Sequence, residues 1–200
     1  IKGVGEGPVE AILAARAKHG TFTDLFDFCN KVDLKQLNRR VIEKLILSGA
    51  MDQLGPHRAA MMATLEEAMK GAEQQAKAEA MGQSDLFGLM APEPEHAASA
   101  FKQVPIWPDE VWLEGERETL GLYLTGHPIN RYLVELPHYS SGRLVDMQPG
   151  RRDQVVHAAG LVLSVRTMIN KKGRRWAIVT LDDKSARLDV RFFPEQFENF

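Results

Sequence analysis

The sequence holds a single cysteine, Cys29, and so cannot close a disulfide within the chain. That scarcity points to a reducing compartment, and a cytoplasmic location is expected. No apolar run reaches the roughly 18 residues that a membrane-spanning helix needs. The six histidines are scattered, and with one cysteine they offer no metal-ligand spacing. The glycine-rich G-x-x-x-x-G-K-[ST] phosphate loop is missing as well. Asp182 and Asp183 stand side by side without a third carboxylate, in a break between two strand-like stretches, and are expected to form a turn rather than a two-metal site. There is neither an initiator Met nor a signal peptide. The chain opens on Ile1-Lys2-Gly3 and is expected to be an internal stretch of a longer protein.

What is present is ordinary globular composition, 44% hydrophobic and 26% charged over 200 residues, enough for one or two domains. The net charge of −2 conceals an uneven distribution. Residues 1–50 carry 8 basic against 6 acidic side chains, residues 51–150 carry 7 against 15, and residues 151–200 carry 10 against 6. Two mildly basic ends flank an acidic middle. Phosphate contact needs cations, so nucleic acid is expected at the ends.

Residues 1–54 read as short helices joined by tight turns. A helix is expected over 9–19, with Pro8 at its first position and Gly20 as its stop. Thr21 and Asp24 are expected to box the start of the next, and Asn38 to cap a third whose inner face is Val41, Ile42, Leu45 and Ile46. Pro56 is expected to open a long helix with Met61, Leu65, Met69, Ala72 and Ala76 on one side. Residues 82–105 lose all periodicity and read as an exposed linker. Trp107-Pro108-Asp109-Glu110 begins another helix, with Val111, Leu113, Leu120, Tyr123 and Leu124 as its apolar side and Gly126 to Pro128 as its end; His127 is expected to be structural there. From Gln154 the period becomes two. Val155, Ala159, Leu161, Leu163 and Val165 mark a long strand, Lys171-Lys172-Gly173 a turn, 175–181 a second strand, and Leu188, Val190 and Phe192 a third. A three-strand meander with a long first strand is how an OB-fold barrel begins, although that barrel needs five strands.

Three groups of residues could carry function. Gly3-Val4-Gly5 ahead of a helix is half of a helix-hairpin-helix pattern. It can cradle a DNA phosphate on free N–H groups with Lys2 nearby, or it can be a plain interhelical turn. Arg39 and Arg40 sit in a first helical turn, where the dipole disfavours cations, which suits either a bound anion or a solvated pair. Gln83-Ser84-Asp85-Leu86-Phe87 places two large apolar side chains in the linker, where they either enter a partner's pocket or fold back on the domain. This pentapeptide resembles the one with which bacterial polymerases hold the sliding clamp. In Asn170-Lys171-Lys172-Gly173-Arg174-Arg175-Trp176, four cations precede an aromatic ring. That loop suits either a single-strand site, with Lys171, Lys172, Arg174 and Arg175 on phosphates and Trp176 stacking, or a solvated hairpin tip with Trp176 turned inward.

Taken in order, these stretches resemble one family, the alpha subunit of bacterial DNA polymerase III. The match runs through Ile1-Lys2-Gly3-Val4-Gly5-Glu6-Gly7-Pro8, Leu37-Asn38-Arg39-Arg40 through Leu45-Ile46-Leu47-Ser48-Gly49-Ala50-Met51-Asp52, Gln83-Ser84-Asp85-Leu86-Phe87 and Glu116-Arg117-Glu118-Thr119-Leu120-Gly121-Leu122-Tyr123-Leu124-Thr125-Gly126-His127-Pro128, and then from Ala159-Gly160 to Phe193-Pro194. The resemblance implies template-directed nucleotidyl transfer by palm carboxylates N-terminal to Ile1. It also implies magnesium for the parent polymerase, and a sliding clamp, a proofreading exonuclease and a clamp loader as partners. No catalytic residue, cofactor or metal ligand is expected among these 200 residues. The expected architecture is mainly α over the N-terminal two-thirds, then β as the first strands of an OB-fold barrel truncated at the C-terminus. It comprises a helix-hairpin-helix DNA-binding finger (1–54), a helix (55–81), a linker with the clamp motif (82–105), a helical connector (106–153) and half an OB domain (154–200). A non-catalytic helix-hairpin-helix and OB module, an error-prone paralogue, and a protein-interaction scaffold are the alternatives.

Overall fold

The structure, a computed structural model, describes residues 1–80, 101–148, 150 and 155–199. The chain divides into two compact units, Ile1–Leu124 and Thr125–Phe200, with the division inside the expected connector.

The first unit is helical: α1 (Glu6–His19), α2 (Leu25–Lys31), α3 (Arg39–Leu47), α4 (Arg58–Ala80) and α5 (Asp109–Leu120). Local chemistry sets their ends. The expected Thr21–Asp24 box is instead formed by Asp24 and Asp27: Asp24 accepts from the Asp27 N–H at 2.8 Å, and Asp27 accepts from Thr23 N–H at 3.0 Å. The box needs its acceptor one residue before the helix, and Thr21 lies too early. Asn38 caps α3 as expected, accepting from Val41 N–H at 3.1 Å. Helix α4 begins after His57, whose Nδ1 accepts from Ala60 N–H at 3.1 Å, so the cap is a histidine and not Pro56. Helix α1 starts three residues earlier than expected, at Glu6, because Pro8 is tolerated anywhere in a first turn whose N–H groups have no partner.

The core gathers Leu25, Phe28, Leu37, Ile42, Ile46, Met61 and Leu65. Each such side chain taken from water contributes about 1.5–3 kcal/mol. Phe22 meets Phe28 edge to face at 5.0 Å between centroids. Burial pushes the Cys29 thiol up to about 12, which keeps it protonated and inert. The end of the expected linker is not free. Phe101 packs edge to face on Phe26, and Lys102 N–H donates to Thr64 Oγ1 at 2.9 Å.

Helix α5 departs most from the expected pattern. It stops at Gly121, not at Gly126 to Pro128. Val111 and Leu124 are exposed, and the buried face is Leu113, Gly115, Glu116 and Thr119.

The second unit opens with a 3₁₀ turn (Pro128–Tyr132), α6 (Leu136–Tyr139) and a second 3₁₀ turn (Leu144–Asp146). Three antiparallel strands follow in the order β1 (Leu161–Ile169), β2 (Arg175–Asp182) and β3 (Arg187–Phe192), closed by α7 (Pro194–Phe197). His127 is structural as expected, but it starts the 3₁₀ turn rather than ending α5: its Nδ1 accepts from Ile129 N–H at 3.2 Å. Register places Val165 opposite Val179, and Val179 opposite Val190. That alternation makes one face apolar. The other face carries a polar row in which Ser164 donates to Thr180 at 3.1 Å and Thr180 donates to Asp189 at 2.7 Å. A bulge between Val162 and Ser164 breaks the period, so Leu161 and Val165 point to opposite faces instead of sharing one. An open meander with a bulged first strand is consistent with the first strands of an OB-like fold. Asp183 forms the expected turn, accepting from the N–H groups of Ser185 and Ala186 and from Leu144 N–H.

Candidate nucleic-acid interface

The first basic group is the turn ahead of α1. Val4 N–H donates to Ile1 carbonyl at 3.2 Å, which closes a four-residue turn around Lys2 and Gly3. Gly3 has a φ of 85°, the left-handed value that the third residue of a type II turn requires and that a side chain resists. Lys2 N–H donates to the Thr119 carbonyl at 2.7 Å, so the turn is hung on the last turn of α5. Gly5 precedes α1 in an extended conformation and offers no side chain to its N–H groups. The first turn of this 14-residue helix, which includes Glu6, therefore has no side-chain cap, and the positive end of the dipole lies behind its amides. The Lys2 ammonium lies toward Gly121, 3.7 Å from where a side chain there would begin.

Helix α3 contributes a residue that the sequence reading missed. The position of a Gly3 side chain would lie 3.7 Å from Lys44 Cγ, which puts Lys44 against the turn. Its ammonium pairs with Glu118. Lys44 follows Arg40 by four residues, one helical turn, and that spacing was the available signal. Arg40 is exposed. Arg39 finds its anion within the chain: Glu43 accepts from it at 2.8 Å and Glu66 lies 3.5 Å away, and Glu43 then Glu66 hold its guanidinium above the ordinary value. Two carboxylates within the chain thus offset the dipole penalty at Arg39.

The second basic group is the β1–β2 hairpin. Asn170 organises its tip: Oδ1 accepts from Lys172 N–H at 2.9 Å and from Arg174 N–H at 3.0 Å. Lys171, Lys172 and Arg175 are exposed. Arg174 is exposed too but is engaged, donating from Nε and Nη2 to the two Glu198 oxygens at 3.1 and 2.9 Å. The arginine holds the Glu198 carboxyl below its usual range. Trp176 is half-buried and shares the polar face with Arg166, Arg187 and Arg191 through the strand alternation. Its ring runs nearly parallel to Phe193, 13° between planes and 6.5 Å between centroids.

The pentapeptide Gln83, Ser84, Asp85, Leu86 and Phe87 lies outside the described residues. Among the described residues no three His, Cys, Asp or Glu side chains gather as metal ligands, and the Asp182 and Asp183 carboxylates accept from turn amides. Also among the described residues, no helix is long and apolar enough to cross a membrane.

A helix-hairpin-helix motif model matches residues 1–61. Along its whole length the chain is 56% identical to the DNA polymerase III subunit alpha of Vibrio cholerae serotype O1, of which it covers 17%. It is 57% identical to the subunit of the same name from Escherichia coli strain K12, again over 100% of the chain and 17% of the relative. With the Pseudomonas aeruginosa subunit it shares 46% over 98% of the chain and 18% of the relative. The chain thus spans about a sixth of the length of the curated relatives it matches.

Proposed function

With the chain belonging to the family of DNA polymerase III alpha subunits, as one segment of such a subunit, we propose that it contacts primer–template DNA and tethers a replicative DNA polymerase to its sliding clamp. The observation that carries this reading is the Gly3 turn: a positive-φ glycine next to Lys2, followed by uncapped α1 amides, inside the segment that matches a helix-hairpin-helix motif. Amides aimed at a phosphate hold a duplex without reading its sequence. The basic tip at Lys171, Lys172 and Arg175 takes single-stranded template in this reading, and residues 83–87 bind the clamp. The complete protein transfers nucleotides with magnesium in the cytoplasm, alongside a proofreading exonuclease and a clamp loader.

The hairpin is tested by Gly3→Val. A branched side chain at φ 85° strains the turn by about 1–3 kcal/mol, and duplex affinity is expected to fall about tenfold, equally for two duplexes of unrelated sequence. Equal binding by parent and variant would remove the turn from the interface. The β hairpin is tested by changing Lys171, Lys172 and Arg175 to Ala. Each lost single-strand phosphate contact flattens the slope of log affinity against log salt by about 0.7, so a total change of about two is expected. An unaltered slope would exclude the tip.

A further inference from the structure

A nucleotide presents two things to a protein, a planar ring and an anion, and the second unit already holds one of each at its basic tip. The Phe193 ring lies parallel to Trp176, and the Glu198 carboxylate takes both N–H groups offered by Arg174. Both come from one stretch of chain, five residues apart. Helix α7 turns them toward the hairpin: Phe197 N–H donates to Phe193 carbonyl at 2.9 Å and Glu198 N–H to Pro194 carbonyl at 3.1 Å. We infer that Arg174 and Trp176 form a single-nucleotide subsite, and that Phe193 and Glu198 occupy it as an internal stand-in which an incoming single strand must displace. The inference rests on the reading of the β1–β2 hairpin as a single-strand site and adds a competitor to it.

The contact is built to be displaced. Phe193 is 57% exposed, so its ring leaves the stack without opening a core. The Arg174 and Glu198 side chains are 43% and 56% exposed, and pairs this open hold weakly. A phosphodiester offers Arg174 the same forked geometry as Glu198 and brings neighbouring phosphates to Lys171, Lys172 and Arg175, which the carboxylate cannot do. A base offers Trp176 a π-face in place of the Phe193 ring. The strand therefore gains contacts that the stand-in lacks, while short or poorly stacked ligands compete badly.

The test is anisotropy of a labelled oligothymidine strand with the full-length protein over a range of salt. Glu198→Gln is expected to tighten binding about two- to fivefold and to steepen the salt slope by about 0.7, because Arg174 becomes available to one more phosphate. Phe193→Ala is expected to tighten it in the same direction by freeing the Trp176 face. Both substitutions lie on exposed residues and leave the sheet register untouched. Unchanged or weaker binding by both variants overturns the competitor. If they do nothing while the Lys171, Lys172 and Arg175 changes weaken binding, the competitor fails and the hairpin site stands. If those changes are silent as well, the hairpin reading fails with it.

Discussion

Replacing Glu116 by Ala is expected to cost about 3–5 kcal/mol of unfolding free energy, because it takes one of two carboxylates from a buried cation and leaves the Trp112 and Leu124 N–H groups without their acceptor. Glu116 is fully buried, and the donors that converge on it include Arg58 Nη1 at 3.2 Å, Trp112 Nε1 at 3.1 Å and Leu124 N–H at 2.7 Å. Arg58 is 3% exposed, forks onto Asp52 at 2.7 Å through both Nε and Nη2, and lies 4.5 Å over the Trp112 ring. Burial alone would pull the guanidinium down, but Asp52 and then Glu116 more than offset it and hold it above the ordinary value. Glu116→Gln is not conservative here. A carboxamide has one oxygen for these donors and must turn its own N–H₂ toward at least one of them. The pair also constrains its surroundings: a side chain at Gly49, φ 82°, would run into the Arg58 guanidinium. Denaturant unfolding of Glu116→Ala decides the matter, and a loss under about 1 kcal/mol would mean that water reaches the pair. The double change Arg58→Met with Glu116→Leu removes both buried charges but leaves the Asp52 carboxylate and the Trp112 and Leu124 N–H groups without these partners, so it is expected to recover only part of the loss.

That network also marks where sequence reasoning stops. The α3 face of Val41, Ile42, Leu45 and Ile46 was legible because apolar residues on a helix have one way to be buried, and Asn38 because a cap acts three residues away. For α5 the same logic selected Val111 and Leu124, which are exposed, and passed over Glu116. A buried carboxylate is tolerable only when donors arrive from elsewhere, and the main one here, Arg58, is 58 residues distant in sequence. The strands were legible in number and order, but the bulge at Leu163 was not, because bulges follow from pairing and leave no mark in a hydrophobic alternation. Of the candidate site, the cations were visible as residue types and their partners were not. Arg39 and Arg174 looked alike on paper, as cations suited either to an external anion or to solvent. One is held by Glu43 and Glu66, and the other by Glu198, two strands and a short helix later.

Changing Leu86 and Phe87 together to Ala is expected to weaken clamp binding by at least about a hundredfold while sparing basal synthesis by the complete polymerase. Two apolar anchors taken fully from water contribute about 1.5–3 kcal/mol each, and losing about 3–6 kcal/mol corresponds to two to four powers of ten in affinity. The neighbours Gln83, Ser84 and Asp85 offer only polar contacts that water replaces with little loss, so they cannot compensate. The effect should fall on one activity alone. A tether works by raising the effective concentration of the polymerase at the primer end and makes no contribution to the chemical step. Extension of a primed template without clamp should therefore proceed at the parent rate, and long products in the presence of clamp should disappear. Direct binding to immobilised clamp reads the affinity. A change below about tenfold would mean that the two side chains do not anchor the polymerase, and the tethering role would then have to be sought elsewhere in the protein.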